Sequence, residues 1–334
     1  MVLEKFNERI YKSFQPGLPP VSCEISQRFV SLVRLNAKDP TIVERSVVTP
    51  IPEGLVTPSL SQPNIGSISD LSVLLKSSLA RAEIRTNKIS VAVPDSSVKV
   101  AIHSFDKLPG NENERQQLLK WRLKKTTPFN VEDSQLAYYQ QPGVNGKISV
   151  VTVVIYREVL AQYETLFRGS GMHAGFITPA SMAAFELLAR SEPLALKGSI
   201  LFLHWNGLSL SAMIVRESSV VFFRHLDYFE GEARNGAGLE RMDAAERERE
   251  SIYEEIHPCL MYYQDKLGDV GVDKIYVLAA EELGRTSLEF LSEKTGSPVV
   301  NMDPFRLFRI HPTGSLPTSK NALAPALGLA LGSA

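Results

Sequence analysis

The residues from which chemistry could be built are few: six histidines, two cysteines and a handful of glycine-bearing turns. The histidines show no HxxxH or HExxH spacing that would set two imidazoles on one helix face around zinc. Cys23 and Cys259 form no CxxC pair, which removes a disulfide framework, a zinc clamp and a redox dithiol together and fits a reducing compartment. No GxSxG nucleophile elbow occurs. NGAGLE at 235–240 lacks the strand-to-helix turn of a dinucleotide loop and reads as a flexible linker, while KTGSP at 294–298 has its parts in the wrong order for a Walker loop and reads as a helix end capped at Gly296. His204 could act as an acid or base, although its place at a strand end suits a structural histidine better. KWRLKK at 120–125 has neither a basic surround nor interleaved aromatics, so it reads as a helix face rather than a nucleic-acid surface.

What remains is a pair of strand-turn-strand patterns. VSCEISQRFVSLVRL (21–35) turns at Ser26 to Arg28, with Glu24 at the end of its first strand; ILFLHWNGLSLSAMIVRESSVVFFRHL (from 200) turns at Asn206 and Gly207, with His204 in the matching place. The elements around them repeat as well. The first hairpin is followed by a third strand (ERSVVTPIP), a loop rich in proline, serine and glycine (57–69), and a helix near 70–82 with Asp70 as N-cap. Strand, strand, helix, strand, strand (KISVAVPDSS to ISVVTVVIY) then reads as a compact α+β module inserted in the first lobe, closed by the helix REVLAQYETLFRGSG and a strand-helix pair at 174–190. The second meander leads through a charge-dense segment, read as a solvated loop and helix end, to helix, strand, helix, strand and a closing helix, NALAPALGLALGSA. The order therefore predicts two α/β lobes, in keeping with 334 residues and an apolar fraction of 44%. The boundaries are 1–18 as an amphipathic extension, 19–195 as the first lobe with an insert at about 86–168, and 196–334 as the second, with a short subdomain at about 229–270.

Net charge is −1, so no global field recruits nucleic acid or anionic lipid. Apolar runs are too short to span a bilayer, and the N-terminus lacks a cleavable leader pattern. Val2, Phe6, Ile10 and Phe14, with Lys5, Arg9 and Lys12 among them, fit a helix folded back on its own domain better than one lying on a membrane. A cytoplasmic protein held at the inner membrane only through partners is expected.

On these stretches, together with LLKWRLKKTTPFNVEDSQLAYY, PVVNMDPFRLFRI and ALAPALGLALGSA, the chain resembles the PilM family of type IV pilus assembly proteins, within the actin-like ATPase superfamily. The resemblance implies a two-lobed actin-like (ribonuclease H-like) α/β fold around a nucleotide cleft, with each hairpin tip facing phosphates. A tip glycine lets backbone N–H groups approach phosphate oxygens, and a carboxylate at each strand end holds magnesium. Where the family writes Asp-Ile-Gly, this chain has Glu24, Ile25, Ser26 and then His204, Trp205, Asn206, with Gly207 one place late. Imidazole replaces a hard-cation ligand, Trp205 looks bulky at the tip, and Ser26 brings a Cβ where positive φ is suspected. In the adenosine loop the family's glycines are replaced by Ala279, Ala280 and Glu281. These departures lead to the expectation of a pseudo-ATPase scaffold with no cofactor, ATP and magnesium returning only if the alternative of an active ATPase with altered loops holds. A type II secretion L-like domain is a further alternative; it expects a transmembrane helix after the domain, and this sequence ends at Ala334 without one. The resemblance also implies capture of the cytoplasmic tail of a PilN-like inner-membrane protein in a groove beside the insert, for which Trp121, Arg122, Pro128 and Phe129 are candidate contacts, with other assembly-platform proteins and a second copy as further partners.

Overall fold

The computed structural model describes residues 19–227, 244–267, 271–279, 282–311 and 320–332. The 1–18 extension, the 235–240 linker, and Ala280 and Glu281 lie outside them. In chain order the elements are β1 (Val21–Ile25), β2 (Phe29–Leu35), β3 (Ile42–Pro50), α1 (Ile68–Arg81), β4 (Lys88–Val93), β5 (Lys99–Phe105), α2 (Glu112–Leu123), β6 (Ser134–Pro142), β7 (Ile148–Tyr156), α3 (Arg157–Gly169), β8 (His173–Pro179), α4 (Ala180–Ser191), β9 (Ser199–Trp205), β10 (Ser209–Arg216), β11 (Ser219–Asp227), α5 (Ala244–Leu267), β12 (Lys274–Ala279), α6 (Arg285–Thr295), β13 (Val299–Asn301), β14 (Arg309–Ile310) and α7 (Ala324–Leu331).

The chain divides into two units, 1–191 with 304–334, and 192–303. The first holds a six-stranded sheet in the order β14-β3-β2-β1-β4-β8. β1 to β3 form an antiparallel meander, and β4 and β8 continue it in parallel. The alternation expected of a half-buried hairpin is realised on one face, where Val21, Cys23 and Ile25 join α1 and α3 in one core with Leu71, Leu75, Tyr163 and Phe167. The second unit repeats the plan. Its five strands run β11-β10-β9-β12-β13, with an antiparallel meander followed by parallel β12 and β13. Leu201, Leu203 and Trp205 pack there with Ile252, Ile256 and Tyr263 of α5.

Four boundaries differ from the expectation. The chain after 303 belongs to the first unit, not the second: β14 pairs parallel to β3, and α7 packs on α4, β1, β2 and β4. The reason is chemical, since APALGLAL is apolar all round, every residue of it is buried, and such a helix needs cover on several sides. Ser22 Oγ donates to the Ala326 carbonyl at 2.6 Å, and α7 comes so near α4 that a Cβ on Gly328 would fall on the Ala183 carbonyl. The insert is narrower than 86–168. It comprises the sheet β5-β7-β6 and α2, around Leu119, Leu123, Leu136 and Val154. Both β4 and α3 serve the main core instead, through Ile89, Val91, Val159 and Leu166. The described part of the subdomain at 229–270 is one helix of the second unit's own core, α5. Helix α1 is capped by Ser67, whose Oγ accepts from the Asp70 N–H at 3.3 Å, so Asp70 sits in the first turn, where the helix dipole favours its charge. Gly296, with φ +71°, does end α6.

Candidate functional site

The two hairpins match residue for residue. Ile25 pairs with Val30 and Glu24 with Ser31; Trp205 pairs with Leu210 and His204 with Ser211. Each tip is thus a four-residue loop starting from a small polar residue. In the first, the Ser26 N–H donates to the Phe29 carbonyl at 2.9 Å, and Ser26 Oγ accepts from the N–H groups of Arg28 and Phe29 at 3.2 and 2.9 Å. In the second, the Asn206 N–H donates to the Ser209 carbonyl at 3.2 Å, and Asn206 Oδ1 accepts from the N–H groups of Leu208 and Ser209 at 2.9 and 2.7 Å. Both loops therefore direct the same two amides onto their own side chain, a local substitute for an external acceptor. The suspected strain at Ser26 is absent, because its φ is not positive. Positive φ occurs in the second tip at Gly207, +84°, which explains a glycine one place late.

Beneath the first tip Glu24 is only 3% exposed. Burial pushes its carboxyl well above the ordinary range, neighbouring Asp95 pushes further, and Ser31, whose Oγ lies 3.5 Å from Oε2, opposes them. Ionising Glu24 in this setting is costly without a positive charge or further donors beside it. Asp95 follows β4 and is held by Ser181, whose N–H donates at 3.1 Å and whose hydroxyl makes a short bond to the other carboxylate oxygen. It caps the start of α4. Sequence reasoning missed this residue, and nothing local could have found it, since its partner lies 86 positions away.

In the second unit His204 is buried on the strand face opposite Trp205. Trp205 is a correction: it packs in the core with Leu203 and Leu210 instead of crowding the tip, because strand alternation turns it away. Ala279, the last residue of β12, is buried and registers with Trp205. Ser211 Oγ lies 2.8 Å from His225 Nδ1, and His225 Nε2 lies 3.2 Å from Asp227. This connectivity looks like a nucleophile relay, yet Ser211 is 2% exposed in mid-strand, where no substrate reaches its hydroxyl.

The structure separates the four candidate contacts of the insert. Trp121 is 63% exposed, and the Arg122 guanidinium stands 5.5 Å from its ring and 5.4 Å from that of Phe105. Pro128 is exposed. Phe129 instead stacks on Tyr156 with centroids 5.3 Å apart, so it serves the insert's packing.

No family profile matches the chain, and no curated protein matches it in sequence. Solved structures do. The chain is similar to a structure of the PilM–PilN type IV pilus biogenesis complex, with TM-score 0.71 and 19% identity over 95% of this chain and 98% of that one. It is also similar to the ethanolamine utilization protein EutJ from Carboxydothermus hydrogenoformans, with TM-score 0.50 and 11% identity over 99% of both chains. The cytoplasmic domain of EpsL, from the type II secretion system of Vibrio cholerae, matches at TM-score 0.45 and 11% identity over 94% of this chain and 93% of that one. Among the described residues no helix is long and apolar enough to cross a membrane. With two units repeating a meander and a parallel extension, a three-stranded insert in the first, and a C-terminal helix returned to it, the chain has the actin-like ATPase fold in its PilM-like form.

Proposed function

We propose that this protein is a non-catalytic actin-like scaffold in the inner-membrane assembly platform of a type IV pilus or a related machine, where it holds the cytoplasmic tail of a PilN-like membrane protein. One observation carries the loss of catalysis. At both hairpin tips a side chain, Ser26 or Asn206, occupies the amides that a phosphate would need. Phosphoryl transfer depends on positioning and on charge neutralisation by donors and metal, so a tip that satisfies itself offers a phosphate little.

Titration calorimetry with magnesium-ATP tests the reading. The expected result is no binding in the micromolar range, and micromolar affinity, or turnover abolished by Glu24→Ala, overturns it. Tail capture is tested separately by pull-down with a PilN-like tail. The exposed Trp121 and its stacked Arg122 form the expected wall of the groove, so the double variant Trp121→Ala, Arg122→Ala should lose the tail; retention at the parental affinity removes this helix from the site.

A further inference from the structure

The insert carries a second surface. In its sheet, ordered β5-β7-β6, the strand β6 is an edge with no strand neighbour on its outer side among the described residues. The Gly143 N–H donates to the Lys147 carbonyl at 2.9 Å, which sets the phase of the antiparallel ladder. Odd-numbered residues of β6 then exchange bonds with β7, and Leu136, Tyr138 and Gln140 turn their N–H and C=O groups outward. The same phase turns the Ser134 carbonyl outward, where an Arg157 Nη donates to it at 3.4 Å, and it places Pro142, which has no N–H, on the outward row. Exposed edges are usually blunted by a lysine, a proline, a bulge or a covering loop, and here the proline stands only at the end of the strand. The nine residues of β6, SQLAYYQQP, contain no charge and pair with β7 without a register shift.

Alongside this edge runs an open groove of about 870 Å³, walled in part by Glu112 and Gln116 of α2 and by Lys147 and Ile148 at the head of β7. Glu112 is fixed there. The Tyr138 hydroxyl donates to it at 2.7 Å, Gln116 donates at 3.0 Å, and Arg115 pairs with it at 3.1 Å, yet its side chain keeps 53% of its exposure. The Tyr138 bond holds its carboxyl below the ordinary range, so it offers a charge at the middle of the outward row. Lys147 stands at the Pro142 end, and its ion pair with Asp106, at 3.3 Å, is open to solvent.

We propose that β6 is a docking edge that receives an extended peptide of another protein as a fourth strand, with a basic side chain over Glu112 and an acidic one near Lys147. A second copy of this chain fits less well. Self-pairing about a two-fold axis through Tyr138 would bring two Glu112 carboxylates to the same centre, and like charges facing across strands repel. The site draws on Glu112 and Gln116 at the start of α2, whereas Trp121 and Arg122, the candidate contacts of the tail groove, lie at its end.

The test pans random nonapeptides displayed on phage against the full chain and measures the enriched sequences as synthetic peptides. They should alternate apolar and polar residues around a central lysine or arginine. Gln140→Pro removes one outward N–H and no bond to β7, so it should weaken binding by about tenfold or more, and Glu112→Gln should weaken it by a few-fold. Methylating every second backbone nitrogen of the peptide should abolish binding in one register and spare it in the other, a signature that does not depend on the variants folding. The proposal is overturned by no enrichment, by peptides that bind Gln140→Pro and both methylated forms equally, or by a dimer in sedimentation that Gln140→Pro dissolves.

Discussion

The two hairpins share a backbone and differ in what lies beneath it. Each strand end reads polar, apolar, small polar, and each opposing strand places a serine across from the polar residue, Ser31 from Glu24 and Ser211 from His204. The tips close by the same pair of amide bonds. Beneath the first stands a buried carboxyl beside Asp95; beneath the second stands a histidine, with Ser211 engaged by His225. The shared part is what turn geometry demands, and the differing part is what a metal site would have fixed. A clamp for magnesium and phosphate would hold the strand-end residue constant and leave the tip amides open. This molecule has the opposite arrangement, and the reading of a scaffold is built on that contrast.

The harshest test of the equivalence lies one residue beyond the polar pair. Ile25 and Trp205 both point into the core of their own unit. Trp205→Ala should cost about 3–5 kcal/mol and Ile25→Ala about 2–5 kcal/mol in denaturant unfolding, the range for truncating large buried side chains. A loss below 1 kcal/mol for Trp205→Ala would place the indole at the tip and break the comparison.

The strand-end residues separate the hairpins by pH. The folded state raises the Glu24 pKa well above its ordinary 4.5, so it binds that proton more tightly than the unfolded chain does. Stability from this group is complete below about pH 4.5 and is lost as pH rises toward the folded value, with a slope of at most about 1.4 kcal/mol per pH unit. Glu24→Gln keeps the neutral shape, so unfolding midpoints measured across this window should decline less with pH in the variant than in the parent. Parallel profiles would mean that folding leaves the proton affinity of Glu24 at its ordinary value, and the carboxylate would again be open to a metal.

Much of the architecture was legible because it rests on local rules. Alternation marked the hairpins, Gly296 marked the end of α6, and element order marked two lobes. What escaped was set by long-range packing. ALAPALGLALGSA follows the second lobe in sequence, and only the need of an apolar helix for cover returns α7 to α4 and β1. The insert's limits were misjudged because β4 and α3 look like part of it in sequence, while their buried faces serve the main core. At the site, the substitutions at Ser26 and Asn206 were visible, but their meaning was not. They read as the loss of a glycine, whereas the structure gives them a positive role in closing the turn.

That role yields the smallest expected effect and the sharpest comparison. Ser26→Ala and Asn206→Ala each remove an acceptor of two amide bonds; Ser26 is buried and Asn206 half-buried, each beside an exposed loop residue, Gln27 or Gly207, so each should cost about 1–2 kcal/mol. The informative readout is hydrogen exchange. In Ser26→Ala the amides of Arg28 and Phe29 should exchange faster while those of Leu208 and Ser209 keep their parental rates, and Asn206→Ala should give the reverse. The Asn206 change should be the larger, because its bonds of 2.9 and 2.7 Å are shorter than the 3.2 and 2.9 Å of Ser26. If neither substitution alters exchange at its own tip, the side chains are not what holds those amides, the tips remain open to a phosphate, and the main support for a non-catalytic scaffold is gone.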